Sequence, residues 1–469
     1  MVSHIEGAAQ ILLKGGVFMN PAQVFNRDMS MLVASAYAQS LENRPLHILE
    51  PLAATGLRSI RYFKELNHPV ERIVANDIDP SAVEQIKENF ASNSVTGEVW
   101  QKDACDAMYT SRGLWDIVDI DPYGSAAGFL DAAVRAVKSG GLLCVTSTDM
   151  ITLCGNNPDT CFYKYQSIPS KSKYCHEFAL RILLYQLNAT ANKYQFAIQP
   201  LISLSVDFYV RVFVKVISSA QTAKKSIGSS SLVFQCSECP AYFIQGFGRE
   251  HKGKDRWVGN VLTVDSNCPY CAKSKDHEVE DAKDEEGRGG QILMQGPIYT
   301  GPLHDKEFVE KVLVLANLRE FKTKDKVRGV LYSIREELET PLGINIGNLC
   351  KFFKVPAMSQ KNLRSAMKSI GKDLSQSHTN PLIYKTTASF DDIYDIFRYW
   401  KKLKAPQRYL TNILKDSPAY RVLTKEPKGP APDFDQDLTE HEKSILGQIR
   451  YPINEPNWGP KPRPKKEEE

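Results

Sequence analysis

The chain has 469 residues, of which 42% are hydrophobic and 10% aromatic, so a wholly disordered protein is excluded and two or three domains are expected. The formal net charge is only +4, and no apolar run reaches about 18 residues, so we expect no transmembrane segment. The N-terminal MVSHIEGAAQ lacks the basic and long apolar regions of a secretory signal. Ten cysteines in such a chain indicate a reducing compartment rather than a disulfide framework.

The first half of the chain alternates short apolar runs with stretches of helical periodicity. This alternation is typical of a parallel sheet with helices on both faces. The last two runs are almost contiguous, so we expect a hairpin and an antiparallel final strand in a domain covering 1–217. The predicted strands are 46–50, 72–77, 98–103, 115–121, 141–147, 197–205 and 207–216. The clearest predicted helices are 81–92, 125–138 and 174–194.

Acidic residues stand at the ends of three successive predicted strands. Glu50 precedes a turn of small residues, PLAATG, which lets the backbone approach a ligand at the start of a helix. Asp77 lies 27 residues later, where an acid typically accepts the ribose hydroxyls of a nucleoside. Asp103, followed by Ala104, can hold an adenine amino group. Solvated strand ends would explain each acid singly, but three at one sheet edge favour a nucleotide cofactor.

The kind of cofactor follows from the turn and the hairpin. A dinucleotide would require more glycine than the single Gly56 of this turn, which disfavours an NAD-dependent oxidoreductase. The antiparallel seventh strand favours S-adenosylmethionine, because that topology is typical of class I methyltransferases.

The fourth strand ends in an acid-Pro-aromatic triplet formed by Asp121, Pro122 and Tyr123. An exocyclic amine on a purine is a poor nucleophile because its lone pair is delocalised into the ring. A carboxylate and a carbonyl that accept its two N–H bonds would aim the lone pair at a methyl donor. We therefore assign Asp121 to the amine and to proton removal, the Pro122 carbonyl as second acceptor and Tyr123 to base stacking. A plain β-turn is the alternative, and Asp119, deeper in the strand, is expected to be a buried structural acid.

Two CxxC pairs follow a Ser/Lys-rich linker at 218–231. Four thiolates can fill the tetrahedral shell of zinc, which predicts a structural rather than a catalytic ion in a segment covering 232–300. The 28-residue spacer exceeds the ~15–20 residues of a compact zinc ribbon, and its charged part, 273–290, is expected to be a mobile loop. The predicted zinc ligands are Cys236, Cys239, Cys268 and Cys271.

The C-terminal part of the chain is basic. Residues 311–410 contain 19 Lys and Arg against 9 Asp and Glu, which suggests an anionic partner such as nucleic acid in a domain covering 301–425. Two predicted helices, 344–353 and 359–369, are followed by two short extended runs and a helix. This order resembles a winged helix, with a helical bundle as the alternative. We expect most aromatic residues here to be core, and 426–469 to be a Pro-rich charged tail.

Taken together, these motifs resemble the tRNA (guanine-N2)-dimethyltransferase family, which makes N2,N2-dimethylguanosine at position 26 of tRNA. The resemblance covers roughly residues 5–425. It rests on long, unusual stretches that include FMNPAQVFNRDMS, EPLAATGLRSIR, VANDIDPSAV, DIDPYGSAAGFLDAAVRAV, DFYVRVFVKV and the NWGPKP of the tail.

The resemblance implies roles for further residues. Arg27 would reach the methionyl carboxylate of the cofactor, and Arg58 would be a second cofactor-binding arginine. Arg61 could share that role or be a surface helix charge. Asp77 would bind the ribose, Asp103 with Ala104 the adenine, and Asp121 would be catalytic.

The resemblance also implies tRNA as partner and a nuclear location, with no membrane attachment and no obligate protein partner. A eukaryotic paralogue modifies guanosine 27, so positions 26 and 27 both stay open at this point. Two other functions also stay open. One is a tRNA-binding chaperone with little or no catalysis, and the other is an amino methyltransferase acting on DNA or protein.

Overall fold

The computed structural model describes residues 2–13, 20, 23–42, 44–251, 253, 256–273, 290–447 and 451. The interior of the predicted mobile loop, the NWGPKP stretch and about half of the predicted tail lie outside these residues. Within the described ranges, no helix has the length and apolar character needed to cross a membrane.

A hairpin and a long buried helix precede the main sheet. The hairpin pairs β1 (Val2–Glu6) with β2 (Ala9–Leu13), and α1 (Val24–Ala38) is buried along its whole length. The sheet strands are β3 (Leu46–Glu50), β4 (Val70–Asp77), β5 (Glu98–Gln101), β6 (Trp115–Ile120), β7 (Val137–Ser147), β8 (Phe196–Val206) and β9 (Tyr209–Ser218). The helices among them are α2 (Leu57–Glu65), α3 (Pro80–Ser92), α4 (Ala104–Tyr109), α5 (Leu130–Ala136), α6 (Met150–Leu153), α7 (Pro158–Tyr165) and α8 (Cys175–Asn192).

The seven strands form one sheet in the order β5-β4-β3-β6-β7-β9-β8. Strands β3 to β7 are parallel, and β9 runs antiparallel to both of its neighbours, which confirms the predicted topology. All six residues of β6 are buried, as expected for a strand covered on both faces. The strand order reverses between β3 and β6, and ligands of open α/β sheets bind at such a switch point.

Two predicted segments differ from the structure. The helix expected over 125–138 is confined to α5, because Val137 is already extended and pairs with Trp115 at the start of β7. The Ser/Lys-rich stretch 218–231 is ordered rather than an open linker. There Ser219 caps a short helix, α9 (Ala220–Lys224), by accepting a hydrogen bond from Thr222 N.

The cysteine pairs belong to a small β structure that follows α9. Strand β10 (Ser230–Cys236) pairs with β11 (Tyr242–Gly246), and the short strands β12 (Gly248–Glu250) and β13 (Trp257–Gly259) form a separate hairpin. Strand β14 (Ile292–Tyr299) returns to the other edge of β10. The two CxxC pairs are thereby brought to one end of this sheet.

The C-terminal region begins with α10 (Lys306–Leu318) and α11 (Lys324–Glu336), which share a core with α1 and β8. The predicted helix, helix, hairpin, helix order is present beyond them, and a three-stranded sheet excludes a purely helical bundle. Its elements are β15 (Ile344–Asn345), α12 (Ile346–Phe353), α13 (Gln360–Ser369), β16 (Leu374–Gln376), β17 (Ile383–Thr386), α14 (Phe390–Lys404), α15 (Pro418–Leu423) and α16 (Glu440–Gly447).

Candidate active site and cysteine cluster

The predicted acids lie along one edge of the sheet. Glu50 ends β3, Asp77 ends the adjacent β4, and Asp121 follows β6 on the other side of β3. Asp103 lies just beyond β5, where its carboxylate caps α4 by accepting hydrogen bonds from the N–H groups of the first turn. Ala104, the first residue of that helix, is buried.

The turn after β3 is fastened to the end of β4. Ala54 N donates to Asp77 Oδ2 at 2.9 Å, and Asp79 N donates to Asp77 Oδ1 at 3.0 Å. Gly56 has a φ of +74°, and a Cβ there would lie 3.1 Å from Ile86, so this turn requires glycine. Each Asp77 oxygen keeps a lone pair beyond the one used by its backbone donor, so the carboxylate can also accept hydroxyl groups.

Glu50 anchors the turn from behind. Its buried carboxylate accepts hydrogen bonds from Ser59 N at 3.0 Å and Ser59 Oγ at 2.5 Å, and Arg58 Nε lies 3.5 Å away. Burial raises the pKa of Glu50 to about 8, although Arg58 and Ser59 act in the opposite direction. Glu50 therefore fixes the first turn of α2, and through it the turn that faces the ligand side.

Arg58 is buried against the predicted catalytic acid. Its Nη1 donates to Asn26 Oδ1 and to Ser30 Oγ, both at 3.0 Å, and its Nη2 forms an ion pair with Asp121 Oδ2. The side chain is 4% exposed. The sequence predicts Arg58 near the cofactor, and the structure adds a direct contact with Asp121.

Asp119 is a buried structural acid, as predicted, but its main partner could not be found from local sequence. Arg211 of β9 donates hydrogen bonds to both carboxylate oxygens of Asp119, at 2.8 and 2.7 Å, and Tyr62 Oη donates to Oδ2 at 2.6 Å. Burial alone would raise the pKa of Asp119, but Arg211 and Arg58 outweigh it and lower that pKa. The only sequence signal for this contact is an arginine inside the otherwise apolar run VRVFV.

Arg27 and Arg61 meet at Glu6 of the N-terminal hairpin. Arg27 contacts both oxygens of Glu6, at 2.6 and 2.7 Å, and Arg61 Nη1 donates to Glu6 Oε1 at 2.8 Å. Burial opposes ionisation, yet the two arginines lower the pKa of Glu6 to about 2. Arg61 is 1% exposed and also pairs with Asp28, so its interpretation as a surface helix charge is wrong. The contact expected between Arg27 and the cofactor stays a prediction.

The acid-Pro-aromatic loop is pinned to the end of β7. Gly124 N donates to Thr148 Oγ1 at 2.9 Å, and Thr148 N donates back to the Gly124 carbonyl at 2.8 Å. Within the loop, Asp121 is largely shielded, Pro122 is buried and the Tyr123 side chain is 57% exposed. The loop therefore combines a shielded carboxylate with an exposed aromatic side chain two positions later in the chain.

The four predicted zinc ligands come together. Sγ of Cys236 lies 3.4 Å from Sγ of Cys271, Sγ of Cys239 lies 3.6 Å from Sγ of Cys268, and all four sulfurs are within 4.8 Å of one another. All four are buried, and none is in a disulfide. Tetrahedral zinc with Zn–S bonds of ~2.3 Å places its ligand sulfurs about 3.8 Å apart, so this set fits one zinc ion.

A second buried group, His304, Glu337 and His378, is not suited to a metal. Lys385 Nζ donates to Glu337 Oε1 at 3.0 Å and already supplies the positive charge. His304 Nδ1 and His378 Nε2 accept hydrogen bonds from backbone N–H groups of β8. His378 Nδ1 lies 2.7 Å from Glu337 Oε2. This group joins the C-terminal region to the edge of the main sheet.

Part of the basic excess in the C-terminal region is internal. Arg364, Lys385, Arg398 and Lys401 are buried, and Lys401 donates to the carbonyl that ends α12. Seven lysines of 311–410 are exposed, namely Lys311, Lys322, Lys351, Lys354, Lys361, Lys402 and Lys404. The aromatic residues Phe353, Tyr384 and Trp400 are core, as predicted.

Comparisons with known proteins agree with this geometry. A family model described as N2,N2-dimethylguanosine tRNA methyltransferase matches residues 2–398. The human tRNA (guanine(26)-N(2))-dimethyltransferase is 35% identical over 98% of this chain and 77% of its own length. The relative of the same name from Schizosaccharomyces pombe is 37% identical over 89% of this chain and 75% of its own length.

Among solved structures, Trm1 from Pyrococcus horikoshii in complex with S-adenosyl-L-methionine superimposes with a TM-score of 0.69 at 26% identity. The match covers 83% of this chain and 98% of that one. The predicted fold, a class I methyltransferase sheet followed by an α+β C-terminal region, is confirmed, and so is the resemblance drawn from the motifs. The chain belongs to the N2,N2-dimethylguanosine tRNA methyltransferase family.

Proposed function

We propose that this chain transfers methyl groups from S-adenosylmethionine to the exocyclic N2 of guanosine 26 of tRNA, forming N2-methyl- and N2,N2-dimethylguanosine. The observation that carries the proposal is the position of the Asp121–Tyr123 loop, at the same sheet edge as Asp77 and Asp103. The relatives named for guanine 26 favour position 26 over position 27.

The cofactor would lie across the switch point of the sheet. Asp77 would accept the ribose hydroxyls, and Asp103 with the backbone of Ala104 would bind the adenine edge. Ile78, a residue that the sequence motifs did not single out, is 64% exposed next to Asp77 and offers an apolar face for the adenine ring. Arg27 or Arg58 would bind the methionyl carboxylate, with Glu50 holding the first turn of α2 in place.

When bound, S-adenosylmethionine supplies an electrophilic methyl group. Asp121 would accept one N–H of the guanine amine and take its proton as the new N–C bond forms and the methyl–sulfur bond of the donor breaks, with S-adenosylhomocysteine as the leaving group. The Pro122 carbonyl would accept the other N–H. Tyr123 would stack on the base, which has to leave its helix to reach the loop. A Cβ on Gly124 would meet no atom within 4 Å, so this residue leaves room for an amine that already carries one methyl group, whereas Ala126 is buried in the core.

The cysteine cluster would hold zinc in a structural role. Four thiolates complete a tetrahedral shell and leave no open position for a substrate. The ion would tie the β10–β14 sheet to the C-terminal region, because the four cysteines share a core with Tyr394 and Phe353.

Methyl transfer from labelled S-adenosylmethionine to unmodified tRNA tests the proposal. We expect dimethylguanosine in the nucleoside digest, a block to reverse transcription at position 26 and no product with Asp121→Ala. Product at position 27 would assign the chain to the paralogue's reaction. An absence of product with tRNA binding intact would favour the chaperone function instead, and methylation of DNA or protein alone would favour the other amino methyltransferase.

We also propose a nuclear location. The Saccharomyces cerevisiae relative is named as mitochondrial, so both compartments have to be compared. Fractionation of cells that express the tagged chain would show a nuclear majority, and a mitochondrial majority would contradict the proposal.

A further inference from the structure

An exposed apolar patch lies near the Asp121–Tyr123 loop. It is formed by Ile151 of α6 and by Phe162 and Tyr163 of α7, which are 66%, 50% and 65% exposed. We name these three residues the α7 patch. On the opposite side of the same helix, Cys161 and Tyr165 are buried. A short helix that buries one face in the core while presenting two large rings outward needs a reason on the outward side.

The α7 patch is fixed in position relative to the catalytic loop. Tyr165 Oη lies 2.8 Å from Ser125 Oγ, which belongs to the segment just after Tyr123. The same hydroxyl lies 2.8 Å from Ser147 Oγ and donates to Asp149 Oδ1 at 2.8 Å. Phe162 and Tyr163 therefore lie within one helical turn of a residue that is hydrogen-bonded to the segment directly after the Asp121–Tyr123 loop.

Two exposed lysines, Lys171 and Lys173, follow α7 in the chain, and one exposed acid, Asp159, lies in the first turn of α7. The backbone of Lys171 packs against the turn between α6 and α7, where a Cβ on Gly155 would lie 2.8 Å from Lys171 N. Exposed aromatic rings provide flat faces for bases, and lysines of the same segment can contact phosphates.

We propose that the α7 patch binds the nucleotides that flank the target guanosine, by stacking on their bases. The inference rests on the proposed function. A guanosine that leaves its helix to reach Asp121 exposes the faces of its neighbours, and aromatic side chains next to the site can cover those faces. Such stacking does not depend on the identity of the base.

The test compares the double variant Phe162→Ala/Tyr163→Ala with a control, Val314→Ala/Leu318→Ala, whose residues are 56% and 77% exposed on α10. Affinity is measured directly with unmodified tRNA, and also with tRNA carrying 2-aminopurine next to guanosine 26. We expect the Kd for tRNA and its KM to rise about tenfold in the patch variant, as one lost base stack would cause. Binding of the modified tRNA to the wild type should quench the 2-aminopurine fluorescence, and this quenching should disappear in the patch variant. The affinity of the patch variant for S-adenosylmethionine should be unchanged, and the control variant should bind tRNA as the wild type does.

Three results would overturn the inference. They are a tRNA Kd within twofold of wild type, an equal loss in the control variant, and a change of oligomeric state in the patch variant that reveals a protein contact instead. The conservative variant Phe162→Tyr/Tyr163→Phe should keep wild-type quenching. Because binding and quenching are measured without turnover, they test the α7 patch even if the proposed methyl transfer fails.

Discussion

At the scale of single residues, two buried arginines, Arg58 and Arg211, form ion pairs with two aspartates, Asp121 and Asp119. Arg211 occupies both oxygens of Asp119, while Arg58 reaches Asp121 and lies 3.6 Å from Asp119. Arg58 therefore interacts with both aspartates, whereas the guanidinium of Arg211 pairs, among the residues that the structure describes, with Asp119 alone. Because Asp119 has Arg211 as a second counter-charge, Arg58 is not its only ionic partner.

The buried Arg211–Asp119 ion pair should contribute to the stability of the fold. Arg211→Met should lower the free energy of unfolding by about 3 kcal/mol, because it breaks a buried ion pair and leaves Asp119 with the more distant Arg58, at 3.6 Å, as its counter-charge. Adding Asp119→Asn should recover part of that loss, since the less well paired buried charge is then removed. Urea denaturation of the wild type, both single variants and the double variant gives the coupling energy. A double variant no more stable than Arg211→Met would contradict this account.

At the scale of elements, the cysteine cluster tests how the β10–β14 sheet is held. We predict about one zinc ion per chain by elemental analysis, and loss of that ion in Cys268→Ser. Hydrogen exchange should then speed up in β10 and β14 but not in β6 or β7, because no cysteine of the cluster lies in the main sheet. Cys105→Ser, which replaces a cysteine outside the cluster, is the matched control. Elemental analysis that finds no zinc in the wild-type protein would contradict the prediction.

The order of the elements could be predicted because each strand carries its own signal. An apolar run that ends in an acid identifies β3, β4 and β6 and places Asp77 and Asp121 at one edge. Residues whose roles depend on pairing across the fold could not be found in this way. Glu6 and Arg211 lie 21 and 92 residues from their partners Arg27 and Asp119, and nothing in the local sequence points to those partners.

At the scale of the whole molecule, the C-terminal region is docked on the main sheet by its own helices and by the His304–Glu337–His378 group. Burial lowers the pKa of His304 well below its usual value, so this histidine is neutral in the folded protein. His378, Glu337, Lys306 and Lys385 surround it. Protonation of His304 would place another positive charge next to two lysines.

The sign of the resulting pH dependence follows from this direction. A neutral buried histidine stabilises the fold at high pH, and that contribution is lost as pH falls below the unfolded pKa of about 6.5. We predict a lower free energy of unfolding at pH 5.5 than at pH 7.5, with a smaller difference in His304→Gln. His68→Gln, at a surface contact with the Arg44 carbonyl, is the control. If His304→Gln has the same pH dependence of the free energy of unfolding as the wild type, protonation of His304 does not contribute to it.

The exposed lysines predict how the molecule as a whole responds to salt. Neutralisation of several phosphates by Lys322, Lys351, Lys354 and Lys361 should make tRNA affinity fall steeply between 50 and 200 mM salt, through the release of counterions. Replacing two of these lysines by Gln should flatten the slope, as measured by filter binding over that range. A flat salt response of the wild type would exclude phosphate contacts as the main source of affinity.

In the proposed function Asp121 accepts the proton of the guanine amine, and Asp121→Asn removes its charge while nearly keeping its shape. Single-turnover methyl transfer to unmodified tRNA is measured together with the affinities for S-adenosylmethionine and tRNA. We expect both affinities to stay within a few-fold of wild type, while methyl transfer falls by about 100-fold or more, as expected for loss of a general base. A variant that methylates guanosine 26 at the wild-type rate would show that Asp121 is not the base.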